Sequence, residues 1–123
     1  METVLSKSFI AAADYSTTGQ YRFVYLSAAD TVTLCGAGAT PIGILQNNPV
    51  QNAIAEVMLF GISRLSMSAA GAIMARVACA ADGQGVVSTT DTNPIGAIII
   101  QAATAADDVI RVLLTPGGML AGS

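Results

Sequence analysis

One phrase occurs twice in this chain of 123 residues, as "PIGILQ" at Pro41–Gln46 and as "NPIGAIIIQ" at Asn93–Gln101. Each time, Pro-Ile-Gly leads into a run of Ile and Leu. A polar or small-residue pause follows, "QNNPVQN" or "AATAA", and a second apolar run then starts behind an acidic residue, Glu56 or Asp108. Proline cannot donate to a sheet ladder, so it suits the first residue of a strand, and glycine two places later permits a bulge or a close approach. The pause lies where a turn would reverse the chain, so each copy reads as a hairpin of two strands. Two such hairpins can close one body pseudo-symmetrically; a chance match of three residues is the competing explanation.

The remaining segments keep the same short rhythm. In "YRFVYL", strand alternation puts Tyr21, Phe23 and Tyr25 on one side and Arg22, Val24 and Leu26 on the other. That aromatic side reads as a core stripe, with a stacking platform for a ligand as the alternative. "DTVTLCG" alternates as a half-buried strand does and closes in "GAGAT". After Gly36 and Gly38 the third position of a phosphate-binding G-x-G-x-x-G is Pro41, so this stretch reads as a turn. Apolar residues from Val57 to Phe60 fill both faces of a strand and require cover on both sides, and Gly61 marks a bulge where that strand turns away.

Asp82-Gly83 predicts a two-residue hairpin between Val77 and Val86, whereas the alanines of "SAAGAIMARVACAA" leave room for a short helix. The expected fold is all-β, a small barrel or sandwich built from two similar hairpin units with at most one short helix. Residues 1–20 read as an N-terminal arm that orders on a partner, or else as an edge strand; 21–116 form the β-domain and 117–123 a C-terminal tail.

Composition narrows the function. Only 11% of residues are charged, against about 25% in an average soluble domain, so part of the surface is expected to be covered by something other than water. Alanine accounts for much of the apolar count and buries little area each, which is the plain reading; alanine-lined faces that meet other subunits are the other. Arg76, Gln101, Thr104, Asp107 and Asp108 interrupt the richest apolar runs. No window supplies the roughly 20 apolar residues of a spanning helix, and the start lacks a secretory layout. The expectation is a soluble chain made in the cytoplasm, with no membrane partner. Net charge is −3, and the basic residues Lys7, Arg22, Arg64, Arg76 and Arg111 are scattered along the sequence, which argues against nucleic acid as partner. Cys35 and Cys79 read as buried free thiols rather than a disulfide.

Catalysis wants a nucleophile with its base, paired carboxylates or a metal. The chain has no histidine, and Lys7 is its only lysine. Asp107 and Asp108, with Asp82 or Asp91, offer fragments of a hard-cation site, although calcium loops need several oxygens at set spacings and a solvated turn explains the pair as well. No enzyme activity, cofactor or metal is expected.

The pieces "TPIGILQNN", "FGISRLSMSAAGAIMARVACAADGQGVV" and "NPIGAIIIQAATAADDVIRVLL" resemble the small capsid decoration, or cement, proteins of tailed bacteriophages. The resemblance runs from about Val32 to Leu114 and rests on a pattern of apolar and small residues. It implies a compact β-domain, often trimeric, on the outer surface of a virus head. The major capsid protein would be its partner, further copies of the chain would complete a trimer, and its location would be the virion. The family has no catalytic motif to transfer. The aromatic strand and the arm before it match less well; there Lys7, Phe9 and Arg22 are the candidate capsid or partner contacts. A carbohydrate- or small-ligand-binding β-module using Tyr21, Phe23 and Tyr25 is the alternative, as is another self-assembling phage part such as a tail protein.

Overall fold

The computed structural model describes residues 5–17, 19–36, 41–87 and 94–120. They form ten strands: β1 Leu5–Ala11, β2 Phe23–Ala28, β3 Thr31–Leu34, β4 Gly43–Leu45, β5 Ile54–Phe60, β6 Ile62–Ser66, β7 Arg76–Cys79, β8 Gly85–Val87, β9 Pro94–Ile99 and β10 Val109–Leu120. The first five close a barrel in the order β1-β3-β2-β4-β5, and the last five make an open sheet in the order β6-β10-β9-β7-β8. The fold is all-β. No helix occurs among the described residues, and the alanine-rich segment that left room for one holds β7 instead. Its valine and cysteine are pulled into the core, and that burial overrides the helical propensity of its alanines.

Each Pro-Ile-Gly phrase opens a hairpin, one in each layer. β4 pairs antiparallel with β5, Leu45 opposite Val57, and β9 pairs antiparallel with β10, Ile98 opposite Leu113. The phrases also meet. A Cβ built on Gly96 would lie 2.7 Å from Pro41 Cγ and 2.7 Å from Phe23 Cε1, so the second phrase's glycine is the space into which the first phrase's proline and the β2 ring fit.

Alternation along the barrel strands divides two cores. Phe9, Ala11, Val24, Val32, Leu45, Ala55 and Val57 point inward and fill the barrel. Phe23 and Ile44, which flank them in sequence, point outward and pack with Leu65, Met67, Val77, Ile99, Ile110 and Val112 of the open sheet. Every residue of β4 is therefore buried, on one face by the barrel and on the other by the sheet. Burying a ring such as Phe23 completely is worth on the order of 2–3 kcal/mol. Gly61, at φ 117°, is the joint by which one chain run leaves the barrel as β5 and enters the sheet as β6.

Residues 5–11 of the expected arm form β1, which is paired on both edges, antiparallel to β5 and parallel to β3. It is an interior strand that closes the barrel and not an edge. Residues 117–120 of the expected tail continue β10, with Met119 opposite Ile95 and Leu120 opposite Pro94. Residues 1–4, 121–123, Asp91 and most of "GAGAT" lie outside the described residues.

The Asp82-Gly83 hairpin joins β7 to β8, but its loop has three residues and not two. Ala80 N donates to Gln84 O at 2.7 Å, Gly83 N donates to Ala80 O at 3.2 Å, and Gly83 takes φ 84°. This is a turn closed by a left-handed glycine, the usual geometry of a three-residue hairpin loop. Its tip docks on the barrel: Phe23 N donates to Gly83 O at 2.7 Å, and Arg22 Nη1 donates to Asp82 O at 3.1 Å.

Candidate interaction face

The outer face of the open sheet gathers arginines and exposed apolar side chains. β6, β10 and β9 each bury one set of alternating side chains against the barrel, which leaves the other set outside. On that side Arg111 stands directly opposite Arg64, and Leu113 lies opposite both Ile62 and Ile98, while Ile98 in turn lies opposite Arg76. Ile100 extends the arginine row, donating its N–H to Arg111 O at 3.1 Å. Beyond it the turn carrying Ile73 and Met74 is held to β9 by Met74 N donating to Ile99 O at 2.7 Å. Met74 adopts φ 71° and is 70% exposed. A methionine held open in a left-handed conformation is costly to keep, as is a surface of exposed Ile62, Ile100 and Leu113.

Electrostatics mark the same face. Like charges directly across a ladder repel, yet among the described residues neither Arg64, Arg76 nor Arg111 has a carboxylate partner; the ion pairs found there are Lys7–Asp30 at 3.9 Å and Arg22–Asp82 at 3.3 Å. Arginines that look scattered in the sequence are thus gathered by strand register onto one side. No local signal could have shown this, because the Arg64–Arg111 pairing depends on the register of β6 against β10.

The contacts expected from sequence fall elsewhere. Phe9 is buried inside the barrel and offers a partner nothing. Lys7 is exposed, its Nζ 5.2 Å from the Phe9 ring centre and paired with Asp30. Arg22 is mostly covered and spans barrel and sheet through Asp82. The structure does not bring these three together into one surface. The aromatic stripe is the core stripe first read from the alternation: Phe23 is fully buried between the layers and Tyr25 packs against that core, while Tyr21 precedes the strand, so the three do not form a stacking platform.

The acidic residues singled out for a cation are engaged in other ways. Asp107 Oδ1 accepts from Gln84 Nε2 at 2.8 Å, and Gln84, 5% exposed, also donates to Ser66 Oγ at 2.9 Å. Asp108 Oδ2 accepts from Thr104 N, Thr104 Oγ1 and Ala105 N at 2.8, 3.0 and 3.1 Å. These bonds, the backbone one from Thr104 foremost, hold its carboxyl below the usual carboxylate range. Among the described residues no three His, Cys, Asp or Glu side chains converge. Cys35 and Cys79 are free and buried in the core between the layers. Their mutual hydrogen bond, followed by burial, pushes the Cys79 thiol far up.

No protein-family model matches this sequence, and no curated protein does. Among solved structures, the chain is similar to the N base of the head fiber gp8.5 of bacteriophage phi29, with a TM-score of 0.72 over 95% of this chain and 98% of that one. The two share 8% sequence identity, so what they have in common is the fold.

Proposed function

We propose that this chain is a structural protein of a bacteriophage virion, a head decoration or cement protein that binds the outer surface of the assembled capsid as a homotrimer and stabilises it, without enzymatic activity. The observation that carries the reading is the end-to-end likeness in fold to the base of a phage head fiber. It agrees with the independent resemblance of "TPIGILQNN" and "NPIGAIIIQAATAADDVIRVLL" to head decoration proteins. A rigid, doubly cored β-body with an exposed apolar and arginine-bearing face suits a protein whose work is binding.

The mechanism is linkage. A protein that binds only the finished shell lowers the free energy of that state by RT ln(1 + [L]/Kd) at each site. Joined copies add avidity, since the second and third contacts become intramolecular. The test is to incubate purified protein with phage heads assembled without it, then measure bound protein by sedimentation and DNA release on heating. Saturable binding with release shifted to higher temperature is expected. Heads that stay bare at micromolar protein, and release DNA at an unchanged temperature, overturn the proposal.

A further inference from the structure

A second face complements the arginine face. On the outside of the barrel Ile10 lies directly opposite Ile54, and Ser8 lies opposite Glu56. Ile54 is 63% exposed and Ile10 44%. Glu56 is also exposed; its Oε1 accepts from Ser8 Oγ at 2.6 Å, which leaves its other oxygen without a partner among the described residues. This surface is therefore a carboxylate beside two isoleucines. The sheet face is two opposed arginines set among Ile62, Leu113, Ile98 and Ile100. One Glu seated between Arg64 and Arg111 would neutralise the repulsion of that pair through charge-assisted hydrogen bonds, while the isoleucines of both faces leave water together.

The charge distribution favours the same match. The chain holds 5 basic and 8 acidic residues. Removing the three arginines of the sheet face leaves 2 basic against 8 acidic, or −6 on the rest of the molecule. Such a body attracts another copy head to tail, with its positive face toward the acidic remainder of a neighbour. The two faces lie on different layers: one is the far side of the open sheet, the other the β1–β5 wall of the barrel. A contact between them is heterologous, and repeated contacts of that kind form a ring where the rotation closes.

We infer that the sheet face bearing Arg64 and Arg111 docks on the Ile10–Ile54–Glu56 face of a second copy of this chain, and that this head-to-tail contact builds its oligomer. The inference gives a surface to the self-assembly in the proposed function and rests on that part of it alone. The test is sedimentation velocity over a concentration series at low and high salt. The unaltered chain should associate, and association should weaken as salt screens the pair. The double variant Arg64→Glu/Arg111→Glu and the variant Glu56→Arg should each weaken association at least about tenfold. Combining all three changes in one chain should restore it with the charges inverted, whereas mixing the two variants restores contacts only between unlike chains and cannot close a ring of three.

Circular dichroism and melting temperature check that each variant folds; where charge reversal unfolds the chain, Arg64→Gln/Arg111→Gln serves in its place. A monomer at every concentration, or association that ignores both reversals and salt, overturns the inference. Capsid binding by such a monomer would leave the virion reading standing, so the two failures are distinct.

Discussion

Gly96 touches Phe23 across the junction of the two layers: a Cβ on that glycine would fall 2.7 Å from the ring's Cε1, closer than real Cβ contacts come. Pro41 Cγ would lie at the same distance from it. The glycine is therefore a steric requirement of the interlayer core, set by the neighbours it meets and not by a turn. Gly96→Val should overpack this point and cost about 1–3 kcal/mol in urea unfolding. Gly36→Ala is the control, since nothing lies within 4 Å of the added methyl; its cost should stay within about 0.5 kcal/mol.

Gln84 fastens the tip of the β7–β8 hairpin to two other segments, donating to Ser66 and to Asp107 from a nearly closed site. Gln84→Leu fills the space but leaves the buried Ser66 hydroxyl without that donor, and should cost about 1–3 kcal/mol. Gln84→Glu should cost more at neutral pH, because it places a second carboxylate within hydrogen-bonding distance of Asp107, and part of that loss should return on acidification. Denaturant midpoints at two pH values check both. Equal stability of the two variants at neutral pH would remove Asp107 from the account.

The hairpins, the Gly61 joint and the buried thiols were legible in the sequence because each has a local mark: a proline that opens a strand, a glycine that interrupts one, cysteines without an export signal. The partners of each strand had no such mark. β1 lies parallel to β3 and antiparallel to β5, pairings set by barrel closure and not by neighbouring residues. The repeated phrase even misleads about register. Leu45 pairs 12 residues ahead with Val57, but Ile98 pairs 15 ahead with Leu113. In the second copy residues 104–108 form a self-closed loop around Asp108, which takes up chain that the first copy does not spend in that way. Phe9 lies in the stretch that reads as an arm ordering on a partner, but that stretch is a barrel strand whose alternation turns the ring inward. The arginine face was invisible for the same reason: Arg64 and Arg111 are 47 residues apart in sequence, and only register brings them opposite.

The thiols predict an alkaline limit. Cys79 titrates well above its ordinary value of 9.0 because it shares a hydrogen bond with Cys35 and is buried. The fold thus favours the neutral thiol. That contribution is present in full below the unfolded value and is lost as pH rises above it, when the unfolded chain alone gives up its proton. Stability should fall above about pH 9, and Cys79→Ala should flatten that fall. Native protein at pH 8 should resist a thiol-titrating disulfide reagent, and denatured protein should react at both cysteines. Rapid labelling of the folded chain would contradict the burial.

Asp108 predicts an acid limit of opposite sign. Its carboxylate accepts three donors from Thr104 and Ala105, and its pKa lies below the ordinary 3.8. The ionised form is the one the fold favours, so its contribution is complete above the unfolded value and disappears as pH falls from there through the folded one. Asp108→Asn keeps an acceptor oxygen while removing the charge, so the variant should be less stable than the parent at neutral pH. The gap between them should close as the pH drops below 3.8. Asp14, lowered in the same way by Ser16, titrates in both proteins and cancels from the comparison. Paired denaturation curves from neutral to strongly acidic pH measure the gap, and one that stays constant across that range would mean that Asp108 acts through packing and not through charge.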